Sequence, residues 1–239
     1  MLQRFLLDPR TLVLYLAVVS TGCSSGPVTL VPETAHRVAA EDALTWSAET
    51  VPTGYQLYRF KWNFRDERAS AGGRGSARIA PPDSLRFDAA GPFNSGALAG
   101  MVVGGQAVWT DPADAKDTVL DVLVGADYTP LLWTMFGMAR PGGANDTLTA
   151  FTDIDVRVWQ YVSGPDTVQY ARLDGEQPKF IAMVRRAGKL IGRTETRLGA
   201  DGTLESARLI LPKSRLDLEF YRHSTPDSFP MEIWRPSAP

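Results

Sequence analysis

Residues 55–64 constrain this chain most, because Tyr58, Phe60, Trp62 and Phe64 alternate strictly with Arg59, Lys61, Asn63 and Arg65. A period of two puts the four aromatics on one face of a strand and the polar side chains on the other. A sheet built around such a strand must shield one face from water, and the rest of the chain offers mainly more strand to do it with. Residues 69–79, 84–101 and 106–110 read as strands, broken by Pro81-Pro82-Asp83, by Gly91-Pro92 with Asn94-Ser95-Gly96, and by Gly104-Gly105. Further strands are predicted at 154–161, 167–173, 178–185, 189–198, 204–211, 216–221 and 230–234, separated by glycine- and proline-marked turns.

Two helical segments interrupt the strands. Residues 32–48 have Thr34 as N-cap and Ala35, Val38, Ala39, Ala43 and Trp46 at helical spacing. Residues 128–138, YTPLLWTMFGM, are apolar almost all round, begun by Thr129-Pro130 and ended by residues 139–143. A helix of that kind cannot lie on a surface. It belongs in the hollow of a curved sheet, as a fixed plug or as a lid that yields to a ligand, a role methionines suit because they repack readily. Roughly eleven or twelve antiparallel strands with so little helix must curl around their own apolar face. The expected fold is therefore mainly β: an unclosed antiparallel half-barrel with an N-terminal helix and a short apolar lid helix. Tyr58, Phe60, Trp62, Phe64, Leu85 and Phe87 would line its hollow, and Leu131, Leu132, Met135 and Phe136 would face it from the lid. The glycine-rich residues 71–76 would form an inner edge where small side chains leave room.

The first residues are a leader rather than fold. Arg4 and Arg10 precede an apolar run at 11–20 that is short for a membrane span, and the run ends at Ser20-Thr21-Gly22-Cys23. Small residues directly before the chain's one cysteine match a bacterial lipobox. Residues 1–22 are then the signal peptide, Cys23 carries the acyl groups, palmitate among them, and residues 23–32 are a tether. Residues 33–239 form one domain. Lipoproteins of double-membrane bacteria that this N-terminus resembles go to the outer membrane unless an aspartate follows the cysteine, so with Ser24 the resemblance implies the outer membrane, on its periplasmic face.

The rest of the inventory excludes more than it adds. A net charge of -2 from well-mixed charges leaves no footprint for nucleic acid. Two histidines, His36 and His223, and one cysteine leave no metal cluster and no Cys-His pair. Gly72-Gly73-Arg74-Gly75-Ser76 lacks the lysine and the following helix of a phosphate loop. His223 beside Ser224 and Asp227 reads as polar loop, so no catalysis, metal or cofactor is expected. In the hairpin of residues 84–101, Leu85 and Phe87 alternate with Arg86 and Asp88, and the turn carries a bare Phe93. That ring either folds under the loop or points outward as a membrane or partner probe.

Several of these residues resemble the lipoprotein-localisation superfamily of LolA and LolB, over residue 32 to the C-terminus. Leu85-Arg86-Phe87 followed by Gly91-Pro92-Phe93-Asn94-Ser95 is similar to LolB's strand and protruding Asn-Pro-Leu-Gly-Ser loop, with Phe93 at the position of the exposed leucine. Thr129-Pro130-Leu131-Leu132-Trp133 through Met138, with Pro141-Gly142, looks like the lid segment. The lipidated N-terminus matches the outer-membrane receptor branch, LolB. The resemblance implies an unclosed half-barrel with a helical lid over a cavity for acyl chains, a soluble periplasmic carrier as partner, and Phe93 as the membrane probe. The expectation is a monomeric, lipid-anchored binding protein that receives lipoproteins or moves another lipid. The alternative is a non-catalytic structural or assembly lipoprotein whose barrel is filled by its own side chains.

Overall fold

The structure, a computed structural model, describes residues 29–92, 96–104, 106–111, 128–140 and 142–234. Cys23, the leader, the first part of the tether, Phe93 and the acidic stretch that follows Asp111 lie outside the described residues. In chain order the strands are β1 (His36–Val38), β2 (Gln56–Asp66), β3 (Ser70–Ala80), β4 (Ser84–Ala90), β5 (Ala97–Val103) and β6 (Gln106–Asp111). They continue as β7 (Thr147–Asp153), β8 (Val156–Ser163), β9 (Asp166–Leu173), β10 (Lys179–Arg186), β11 (Lys189–Leu198), β12 (Leu204–Ile210) and β13 (Ser214–Ser224). Helix α1 spans Ala40–Glu49 and helix α2 spans Thr129–Met135.

Among the described residues all the strands join one antiparallel sheet of thirteen, in the order β1-β7-β8-β9-β10-β11-β12-β13-β2-β3-β4-β5-β6. Two meanders, β2 to β6 and β7 to β13, meet where β13 pairs with β2. The outermost strands β1 and β6 are not paired with each other, so the sheet curls without closing. This is the unclosed antiparallel half-barrel that the alternation implied, with α1 and α2 inside the curl.

The local reason for the hollow lies in glycines set opposite aromatics. Phe60 of β2 is directly across from Gly75 of β3, and Phe87 of β4 from Gly100 of β5. A Cβ on Gly100 would sit 2.6 Å from the Phe87 ring, and one on Gly75 only 2.5 Å from the Phe60 ring and 2.7 Å from the Asp88 carbonyl. The rings lie over bare backbone, the arrangement in which an aromatic covers a strand glycine. The room left by residues 71–76 is thus taken first by the neighbouring strand's own aromatics. Outside the curl, Val158, Ala171 and Ile181 form a small second cluster covered by Leu30 and Val31, whose segment crosses the outer face and donates from Leu30 N to Gln169 Oε1 at 3.3 Å.

Three expected elements differ. The N-terminal helix starts at Ala40, not after Thr34, because His36–Val38 pairs with β7 and completes that edge. Thr34 donates its hydroxyl to the Asp153 carboxylate and so ties the entering chain to the end of β7 instead of capping a helix. Strand β7 itself was not anticipated: the expected strand from Ile154 begins at Val156, and Ile154 lies exposed in the turn between β7 and β8. Residues 230–234 are not a strand. Pro230 has no N–H to offer a ladder, and Met231–Trp234 forms a short 3-10 helix whose Ile233 carbonyl accepts from Arg86 Nη1 at 2.7 Å.

The two glycines make separable predictions. Gly100→Ala should cost about 1–3 kcal/mol by overpacking, and Phe87→Leu in the same chain should recover part of that loss, because the ring is the nearest obstacle. Gly75→Ala should not be rescued by Phe60→Leu, since the Asp88 carbonyl also stands in the way. Urea midpoints of the two double-mutant cycles at constant m-value measure both; equal rescue at the two sites would contradict the packing argument.

Candidate functional site

Helix α2 has only seven residues, too few to hold itself together in water. Its residues Leu131, Leu132, Trp133, Thr134 and Met135 are all buried. Two buried threonines of β11 hold it: Thr194 Oγ1 donates to the Leu131 carbonyl at 3.0 Å and Thr196 Oγ1 to the Thr134 carbonyl at 2.6 Å. On another side Trp133 Nε1 donates to the Gly104 carbonyl at 3.1 Å. The chain leaving the helix is fixed as well, with Ala139 N donating to Thr50 Oγ1 at 2.8 Å and Arg140 N to the Tyr170 hydroxyl at 3.1 Å.

The helix divides the hollow into a filled half and an empty half. On the β8–β10 side Trp159, Tyr170 and Phe180 stack, with ring centroids 5.5 Å and 5.8 Å apart along the series. Ser47 of α1 accepts from Trp159 Nε1 at 2.9 Å and lies 2.7 Å from the Tyr161 hydroxyl. Burial pushes the phenols of Tyr161 and Tyr170 above their ordinary pKa. The other half, between α2 and strands β13, β2, β3, β4 and β5, holds a cavity of about 210 Å³.

That cavity is lined by Phe60, Trp62, Phe64, Ala71, Phe87, Ala89, Leu98, Leu132, Met135, Phe136, Leu216 and Leu218. None of these carries a charge. Phe64, Ala71, Ala89 and Leu98 are not fully buried, which puts the mouth at the end of the sheet where β2 and β4 finish and β3 and β5 begin. An apolar cavity of about 150 Å³ already stays dry and takes benzene, so this one can accept a short run of hydrocarbon. A longer chain requires the wall of α2 to give way.

Seven of the ten side chains expected at the hollow line it, and Tyr58, Leu85 and Leu131 do not. Leu131 and Leu132 are neighbours on a helix, about 100° apart, and cannot face one wall together. Leu132, Met135 and Phe136, at i, i+3 and i+4, share the face toward the cavity. Leu131 turns toward Gly192 of β11 instead. Leu85 is wholly buried in the core. Tyr58 stacks on His223 with centroids 4.6 Å apart, and burial raises its phenol to about 12, so it stays neutral. Leu216 and Leu218 were missed as lining residues although their alternation is visible. Only the pairing of β13 with β2, which sets Leu218 against Trp62 and Leu216 against Phe64, brings them to the site.

His223 Nε2 lies 2.6 Å from Gln56 Oε1, so its ring is occupied by a glutamine and by Tyr58. Among the described residues no group of His, Cys, Asp and Glu is arranged to hold a metal ion.

The threonine contacts give a direct test of how α2 is held. Thr194→Val and Thr196→Val each leave a buried carbonyl without its hydroxyl donor, at about 1–3 kcal/mol apiece. The double variant should speed amide exchange within 129–138 selectively, while β8–β10 keep their protection. Uniform loss of protection would mean that α2 opens only with the whole sheet.

No protein-family model and no curated protein sequence matches the chain. Among solved structures it is similar to a LolA superfamily protein from Nitrosomonas europaea, with a TM-score of 0.55 and 10% identity over 83% of this chain and 98% of that one. A domain from Vibrio parahaemolyticus described as an outer membrane lipoprotein-sorting protein has a TM-score of 0.49 and 10% identity, over 81% of this chain and 94% of that one. The first likeness is one of fold: this chain adopts the unclosed half-barrel seen in that LolA superfamily protein.

Proposed function

We propose that this chain is a lipid-anchored binding protein of the cell envelope that takes an acyl chain into the half-empty side of its barrel. The observation that carries the reading is the uncharged, wholly apolar cavity with its mouth at the end of β2–β5. An acyl chain would enter by partition alone, gaining about 0.8 kcal/mol for each methylene removed from water. Chains longer than the present cavity would be accommodated by Met135 and Phe136, whose side of α2 carries none of the threonine anchors. In this reading Cys23 tethers the protein at the periplasmic face of the outer membrane. Phe93 would meet the bilayer and ease transfer, the role that the resemblance implies for it. The cargo is the acylated end of a lipoprotein handed over by a soluble periplasmic carrier, or another lipid. The LolA superfamily fold supports the lipid-binding part of this reading.

A specific observation also favours the alternative of an assembly lipoprotein. The stacked Trp159, Tyr170 and Phe180 fill their half of the barrel with the protein's own side chains, and a protein partner would then bind elsewhere.

The deciding experiment is native mass spectrometry with lipid extraction on protein expressed in the periplasm, alongside Met135→Trp. Wild type should retain a stoichiometric lipid or take up an added fatty-acyl probe, and Met135→Trp, which fills the cavity, should bind at least tenfold more weakly with little change in Tm. Phe93→Asp should keep uptake and lose delivery to liposomes. A wild-type protein that carries no lipid and takes up no probe would transfer the assignment to the assembly role.

A further inference from the structure

The outer face of the sheet carries a pattern that folding alone does not favour. Because Phe60, Trp62 and Phe64 point into the hollow, Arg59, Lys61 and Arg65 point outward, and each has a cation opposite it on one of its two neighbouring strands, while Lys61 also has Glu219 opposite it on β13. Arg65 stands directly opposite Arg215, and Arg59 opposite Arg222. Lys61 likewise faces Arg74, and on the next pair of strands Arg78 faces Arg86. Like charges directly opposite each other destabilise a sheet, and here the arrangement repeats across β13, β2, β3 and β4.

The available carboxylates only partly offset it. Asp88 is shared by Arg78 and Arg86, and Asp217 is shared by Arg208 and Arg215, so the Asp217 cluster keeps one positive charge. Lys61 has an exposed partner in Glu219 at 3.4 Å. Arg59, Arg74 and Arg222 have no carboxylate at ion-pair distance among the described residues, and all three are exposed. This field stands on a chain whose net charge is -2, so it reflects segregation rather than composition. Arg59, Arg74, Arg86 and Tyr221 border a groove of about 580 Å³ on the same face.

We propose that this convex face of β13, β2, β3 and β4 is a docking surface for an anionic lipid bilayer. Guanidinium groups match phosphate oxygens in bidentate geometry, and the field spans several strands at about 4.8 Å spacing, the scale of a row of headgroups rather than of one ion. Tyr221, 49% exposed within the cationic field, has the ring and hydroxyl suited to headgroup depth. The surface is separate from the cavity and does not depend on what the cavity holds.

The test is co-sedimentation of residues 24–239, without the leader and the proposed acyl anchor, with vesicles of phosphatidylcholine alone or mixed equally with phosphatidylglycerol, at low and high salt. The protein should favour the anionic vesicles, and salt should abolish the difference. Replacing Arg59, Arg74 and Arg222 together by threonine should weaken anionic-vesicle binding by about a hundredfold, at roughly fivefold per cation. The same variant should keep or raise Tm, because the repulsion is relieved. Met135→Trp should bind anionic vesicles like wild type, which separates a failure of this surface from a failure of the acyl-binding reading. Equal binding to the two vesicle types, or a triple variant that binds as wild type, overturns the proposal. So does retention on polyglutamate without vesicle binding, which would assign the face to an acidic protein.

Discussion

Two threonine hydroxyls inside the barrel hold the feature on which the rest depends. A helix of seven residues with its carbonyls buried needs partners for those carbonyls and cannot find them in water. Thr194 and Thr196, on the inward face of β11, supply two of them. Because both anchors come from one side, α2 is fixed against β10, β11 and β12 and leaves space on its other side. The cavity follows from that asymmetry. A helix centred in the curl would either have filled both halves or touched neither.

The empty side also has a cause in the sheet. Aromatics on β2 and β4 lie over glycines on β3 and β5, so part of each ring occupies the space that a Cβ at the glycine would take. A side chain at Gly75 or Gly100 would lift those rings toward α2. The glycines thus have no direct contact with a ligand yet help determine the volume available to one. On the opposite face the same strands expose their cations, and a strict period of two makes the two surfaces inseparable: a one-residue register slip would exchange them. The strands that line the apolar cavity therefore also carry the cationic face, a sheet's thickness away.

Much of this architecture is legible along the chain. The alternation of residues 55–64 announces a two-faced strand, the glycine- and proline-marked turns announce the meanders, and the all-round apolarity of residues 128–138 announces a helix that must be enclosed. The errors have local explanations. Thr34 has the chemistry of a cap and serves as a tie to Asp153, because an unpaired edge at β7 competes for the chain around His36–Val38. Pro230 to Trp234 has strand-like residues but meets no partner strand, and it folds as a turn of 3-10 helix against Arg86.

Within the site, the sequence by itself determined which residues are apolar and on which face of their own element they lie, because period and chemistry are local properties. It therefore identified the aromatic stripe of β2 and the apolar helix. Only the tertiary structure decided which faces meet. Leu216 and Leu218 join the cavity because β13 pairs with β2 across some 150 residues of chain. Leu131 leaves it because the bonds from Thr194 and Thr196 set the rotation of α2. The like-charged pairs of the outer face are invisible until register sets Arg59 against Arg222 and Lys61 against Arg74. Register and helix rotation are set by long-range packing and buried hydrogen bonds, and no local pattern encodes either.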